Sequence, residues 1–352
     1  MAAEMPKDLP EATPTTQAGN PFKKIVGMLL KIGLIAAIFY FLAEKGLLSL
    51  DATAGAFKQP WLTLPTMLVL IGLSAIGALR WQWLLRAQGM NLTYLRVLQL
   101  TYIGGFFNIA LPGAVSGDVV KAFYVAHDIP GRRGHAFGAI LFDRIIGLCG
   151  LVFVSAGALW LDWSKVSHSQ AMPVIRIVLS SGALGILAFF GYLFLVPAGK
   201  DPLENLLAKL ATWKPVFAGF LKTYEGVRAY RNRKATVAAA LLISIGVHLV
   251  VCWACLNFAH ALGETGIPVL PVFLVVPLGI LVTAVPIMPA GMGTGHVAFS
   301  WGFQVVGSLR GADIFNLWVL TNLIGGAMGG LVYLAHKKKE PAPALEAEIE
   351  SS

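Results

Sequence analysis

The 352-residue sequence predicts an all-α polytopic membrane protein. About six full transmembrane helices and two oppositely oriented re-entrant helical hairpins are expected, arranged like an inverted repeat. Three observations carry this reading. Hydrophobic residues make up 57% of the chain and charged residues only 13%, against about 25% charged in a soluble domain. Six uninterrupted apolar runs, at about 25–43, 61–85, 136–161, 174–196, 236–260 and 314–335, have the ~20 residues that cross a hydrocarbon core. Two further apolar runs, 97–126 and 271–309, are each broken in the middle by proline and glycine.

Residues 1–22 are polar and rich in proline and threonine, the composition of a disordered cytoplasmic tail. The run at 25–43 is long enough to span and lacks a small-residue cleavage motif, so it reads as a retained helix rather than a signal peptide. Trp61, Trp81, Trp83, Trp160 and Trp163 stand near span ends, as an interfacial belt requires. Cys252 and Cys255 form a CxxC inside an apolar run. Without partner ligands they read as packing residues, since a free cysteine behaves as a small hydrophobe. No cofactor is expected.

Lysine and arginine counts set the orientation. With the N-terminus inside and only the six full spans crossing, inner segments carry eighteen basic residues and outer segments four. Both flanks of 97–126 are then inner, and both flanks of 271–309 are outer. Each interrupted run must dip into the membrane and return on its own side. Their turns resemble each other: "LPGAVSGD" at 111–118 and "MPAGMGTGH" at 288–296. Irregular backbone at membrane depth survives only where protein or water satisfies it, and paired interrupted segments point to a transporter's midplane site. A plain kink in an ordinary span is the alternative.

The stretch 197–235 is the one long loop. Leu203, Leu206, Leu207 and Leu210 share a helical face, as do Val216, Phe217, Phe220 and Tyr224, and the polar residues are mostly basic. This predicts an amphipathic cytoplasmic linker lying on anionic inner-leaflet lipid, or a docking elbow between two halves, or both. A transmembrane domain over 23–336 is followed by an acidic, disordered cytoplasmic tail at 337–352. The net charge of +9 follows from basic residues lining one membrane face; it favours anionic lipid over nucleic acid.

Five basic residues fall within apolar segments: Lys31, Arg80, Lys121, Arg144 and Arg176. Lys31, Arg80 and Arg176 lie close enough to span ends to snorkel. Lys121 and Arg144, with Asp118 and Asp143, must face protein or a cavity, because a charge at the bilayer centre costs at least ~2.5–3.5 kcal/mol. Two ion pairs are one reading, Asp118 with Arg144 and Asp143 with Lys121. An anion site is the other, completed by a helix N-terminus just after Gly117, where Asp118 also serves as a candidate cap. The candidate substrate-binding set is Asn108, Pro112, Gly113, Gly117, Asp118, Lys121, Asp143 and Arg144 from the first half. Pro289, Gly291, Gly293, Gly295 and His296 complete it from the second, where His296 mirrors Asp118.

Three stretches, "LPGAVSGDVVKAFYVAH", "GAILFDRIIGL" and "MPAGMGTGH", resemble the flippase-like membrane domain of lysylphosphatidylglycerol synthases over roughly residues 25–336. The resemblance implies a free-standing lipid translocation unit with no catalytic domain, in the bacterial cytoplasmic (inner) membrane, with two facing hairpins. By that resemblance Asp118, Lys121, Asp143 and Arg144 match the family's polar positions. Two positions depart from it. Lys121 stands where the family commonly has arginine, losing bidentate phosphate recognition, and His296 where it commonly has glutamate. The expected function is transport of a membrane phospholipid, or another amphiphile with an anionic head group, between leaflets. A linker of 39 residues (197–235) is too short for an ordinary catalytic domain, so no enzyme activity is expected. A membrane-embedded lipid-modifying transferase and an accessory subunit of a lipid or glycan enzyme stay open.

Overall fold

The computed structural model describes residues 50–110, 116–161, 172–197, 199–284 and 291–337. These form α1 (Leu50–Ala56), α2 (Pro60–Ala87), α3 (Tyr94–Ala110), α4 (Ser116–Asp128), α5 (Arg133–Leu161) and α6 (Met172–Leu195). The second part of the chain forms α7 (Pro202–Ala211), α8 (Pro215–Arg228), α9 (Lys234–Ala261), α10 (Val269–Thr283), α11 (Thr294–Val305) and α12 (Gly311–Lys337). Among the described residues there is no strand. Five helices are long and apolar enough to cross a membrane: α2, α5, α6, α9 and α12. They coincide with five of the six predicted spans. The sixth, 25–43, lies outside the described residues, as do the tail at 1–22 and the chain beyond Lys337.

Both interrupted runs fold as hairpins of antiparallel helices. Near the start of α3, Arg96 forks onto Asp128, the last residue of α4, at 2.8 and 2.9 Å. At the other end of the pair, Ser116 of α4 donates to the Phe107 carbonyl of α3 at 3.0 Å. In the second hairpin Gly302 of α11 meets Val275 of α10, Phe299 meets Gly279, and Gly291 meets Thr283.

The hairpins open toward opposite ends of the bundle. α3 starts beside the end of α12, where Arg96 meets His336 at 3.1 Å. The Tyr230 hydroxyl, just before α9, donates to Leu84 near the end of α2 at 3.0 Å, so α2 and α9 run antiparallel. At the far end Ala56, Phe258, Ala261 and Ile267 share one apolar cluster, and there α10 begins. Exchanging α2–α5 with α9–α12 leaves the packing scheme unchanged. α3 packs on α12 as α10 packs on α5; α4 packs on α5 as α11 packs on α12; α2 packs on α9. This is an inverted repeat. Close approach between its helices depends on small residues: a Cβ on Gly329 of α12 would sit 2.0 Å from the Tyr102 carbonyl oxygen of α3.

The linker is an elbow as well as an amphipathic surface. Arg228 donates to the carbonyls of Tyr192, Leu193 and Val196 at 3.2, 2.9 and 2.7 Å, satisfying groups that α6 leaves open at its end. It also pairs with Asp201 at 2.7 Å. Asp201 is fully buried and accepts from the Tyr192 and Tyr224 hydroxyls at 2.5 and 2.6 Å. Tyr224 therefore turns inward, away from the apolar face on which its spacing places it. Leu203, Leu206, Val216 and Phe220 stay exposed, with Trp213.

Candidate functional site

The first turn of α4 is Ser116-Gly117-Asp118. Gly117 lies against Gly104 of α3, where a Cβ would meet the Gly104 carbonyl oxygen at 1.8 Å. Only glycine permits that approach. The Gly117 N–H donates to the Asn108 side-chain oxygen at 2.9 Å. One of the N–H groups expected to await an anion is thus already taken by Asn108, and Asp118 is not the cap. The reason is local: α3 ends two residues past Asn108, which leaves its short amide level with the start of α4.

Asp118 is buried, and its carboxylate holds two cations. Lys121, one turn further along α4, reaches it at 2.7 Å, and Arg144 of α5 bonds it through Nε. The expected Asp118–Arg144 pair is present. The expected Asp143–Lys121 pair is not. Asp143 faces away and receives a two-pronged bond from Arg80 of α2, at 2.8 and 3.0 Å. Arg80 does not snorkel: its side chain is 13% exposed and committed to protein. Trp81, read as part of an interfacial belt, is buried, and Lys121 lies over its ring at 4.9 Å. Trp61 and Trp160 are exposed near span ends, as a belt requires. Three cations and two carboxylates thus meet where α2, α4 and α5 pack, with a net charge of +1. Arg144 is the accessible member, with 41% of its side chain exposed.

The second turn repeats this geometry without the charge. His296 is the third residue of α11, as Asp118 is of α4. Its Nδ1 accepts the Gly293 N–H at 3.2 Å, so Nε2 carries the proton and donates to Asn316 of α12 at 2.7 Å. Gly293 has φ +85°, a conformation that a side chain penalises. Gly295 corresponds to Gly117: a Cβ there would meet the Phe315 ring at 2.1 Å. The first turn bonds to α5 and the second to α12, each the last helix of its own repeat. Pro112, Gly113 and Pro289 lie outside the described residues.

Between the halves lies a cavity of about 430 Å³. Its walls come from α2, α3, α9, α10 and α12, and Asn108 is the candidate residue that lines it. Sequence reading missed this feature, and it also missed Arg80, Trp81 and Asn316. Cys149, Cys252 and Cys255 are buried free thiols, in keeping with packing.

The profile of the lysylphosphatidylglycerol synthase TM region matches residues 28–324. The chain belongs to this family. Two archaeal UPF0104 membrane proteins are similar to it. One, from Pyrococcus horikoshii, is 23% identical over 286 residues, covering 75% of this chain and 83% of the relative. The other, from Methanothermobacter thermautotrophicus, is 22% identical over 312 residues, covering 83% and 86%. No solved structure matches the chain. The family and the apolar helices together make this a multi-pass membrane protein.

Proposed function

We propose that the protein is a transporter, not an enzyme, and moves a lipid with an anionic, phosphate-bearing head group between leaflets of the bacterial cytoplasmic membrane. Both termini are cytoplasmic, and the two hairpins are re-entrant, each returning to its own side. The observation that carries this reading is the Asp118–Lys121–Arg144 cluster with its Asp143–Arg80 neighbour. It is a net positive charge inside an apolar bundle, with one guanidinium exposed. Arg144 is eleven residues into α5, about 16 Å below that end at ~1.5 Å per residue. That depth is close to half of a ~30 Å hydrocarbon core.

A singly charged phosphate bound there brings the cluster to neutrality, which lowers the cost of holding it away from water. Asp118 keeps both cations in place between lipids, so the empty site does not present bare charge to the bilayer. A cation removed from this set weakens phosphate binding without leaving an unpaired acid, because Asp118 retains its other partner. The exposed Leu206, Trp213, Val216 and Phe220 of the linker, interleaved with lysines, rest on anionic inner-leaflet lipid.

Purified protein in liposomes tests the reading, with dithionite quenching of acyl-labelled fluorescent phosphatidic acid as readout. Lys121→Ala and Arg144→Ala should each slow translocation by about tenfold, the loss of ~1.4 kcal/mol of binding, with gel filtration unchanged. If both variants move lipid at the wild-type rate, the charges only cross-link helices. A chemically altered lipid would indicate the transferase, and no lipid movement at all the accessory subunit.

A further inference from the structure

We propose that the cavity between the two halves takes the distal part of the head group, and that this part is uncharged and rich in hydroxyls. The preferred cargo is then a phospholipid carrying a polyol or sugar beyond its phosphate. The inference rests on the phosphate-lipid reading above and narrows it.

Position comes first. Ser74 and His248 both line the cavity, and each sits at the midpoint of its membrane-spanning helix, 60–87 and 234–261. The cavity is therefore at the bilayer midplane, where a transported head group must pass. Its volume, about 430 Å³, falls within the ~300–1,000 Å³ range of small-molecule sites. Asn108 joins it to the charged cluster, because the same side chain lines the cavity and holds Gly117, the neighbour of Asp118. With its phosphate on the cluster, the head group reaches the cavity past Asn108.

Lining chemistry decides what the distal group is. Among the described residues the walls contain no Asp, Glu, Lys or Arg. They contain neutral hydrogen-bonding side chains that offer both acceptors and donors. Thr101 and Thr321 donate to the Val97 and Leu317 carbonyls of their own helices at 2.8 and 2.7 Å, leaving oxygens as acceptors. Asn322 donates its amide to Trp318 at 2.8 Å and keeps its oxygen. His248 donates through Nε2 to the Gly147 carbonyl at 3.0 Å, so that ring proton is not offered to the cavity. Asn108 accepts with its oxygen and keeps its amide protons, so the walls donate as well as accept; hydroxyls match both, whereas an ammonium can only donate. The ammonium loses. It finds no carboxylate in the walls and lies beside a cluster of charge +1. Cation–π contact with Tyr102 or Trp318 offsets only part of its desolvation penalty. Hydroxyls incur no such penalty, and the two rings suit the faces of a sugar or cyclitol.

The test compares acyl-labelled phosphatidylinositol with phosphatidylethanolamine in the same proteoliposome assay. Wild-type protein should move the inositol lipid at least tenfold faster. Asn322→Asp, nearly isosteric, places a carboxylate in the wall and should lower that ratio at least fivefold. Lys121→Ala should slow both lipids equally and leave the ratio in place, since both carry the phosphate. Equal wild-type rates for the two lipids, or a ratio untouched by Asn322→Asp, would overturn the proposal while leaving phosphate-lipid transport standing. Movement of neither lipid would overturn both.

Discussion

Asp118 shares one carboxylate between Lys121 and Arg144, and that sharing makes the acid and the bases unequal. Losing either base leaves the acid paired. Losing the acid strands two cations in an apolar bundle, a change that typically costs about 3–5 kcal/mol; the partial exposure of Arg144 places this case at the lower end. Asp118→Asn is therefore expected to unfold the protein in detergent at a clearly lower temperature than Lys121→Ala, with poorer membrane insertion. A thermal-stability assay on the two variants checks this, and equal stability would show that Asp118 is not the structural keystone of the cluster. Lys121 lies between Asp118 and the Trp81 face.

At the scale of elements, each hairpin is made by a break in a helix and fixed by a glycine that its partner helix closes over. The linker is fixed differently, by one buried carboxylate. Burial alone would raise the Asp201 carboxyl, but hydrogen bonds from Tyr192, Tyr224 and the Glu204 N–H, with the charge of Arg228, outweigh it and hold it below its ordinary value of 3.8. A carboxylate depressed in the folded state contributes stability above its unfolded value, about 3.9, and loses it as pH falls through the folded value. Wild-type protein should thus be more stable than Asp201→Asn at pH 7, and the gap should close below about pH 4. Melting temperatures of both proteins between pH 7 and pH 3 measure it. A gap that does not change with pH would mean that Asp201 acts through shape and not through charge.

The whole molecule is two copies of one four-helix plan, packed antiparallel with α6 and the linker between them in sequence. An inverted pair opens the two hairpins toward opposite ends of the bundle, and the basic asymmetry of eighteen to four predicts opposite sides of a membrane. Thr265, in the turn before α10, and Ala229, after α8, are both exposed and belong to opposite faces. Since all three native cysteines are buried, single cysteines at these positions should report cleanly. Thr265→Cys should react with an impermeant maleimide on intact cells, and Ala229→Cys only after permeabilisation. Labelling of position 229 from outside would reverse the topology.

Much of this was legible in one dimension. Apolar run length, the Pro-Gly interruptions and the distribution of lysine and arginine are local properties, and five predicted spans return as helices with both broken runs folded back on themselves. Helix positions survive as well: Asp118 and His296 are each the third residue of their helices, as the similar sequences before them predict. Pairing was not legible. Asp143 and Arg144 are neighbours, yet about 100° of helical rotation separates them, so one meets Arg80 of α2 and the other Asp118 of α4. Arg80 looked able to reach the interface because its distance from a span end is local, whereas the carboxylate that captures it lies 63 residues away. The cavity is the extreme case. Ser74, Asn108, His248 and Asn322 are ordinary within their own helices, and only the antiparallel packing of two repeats turns them toward one space.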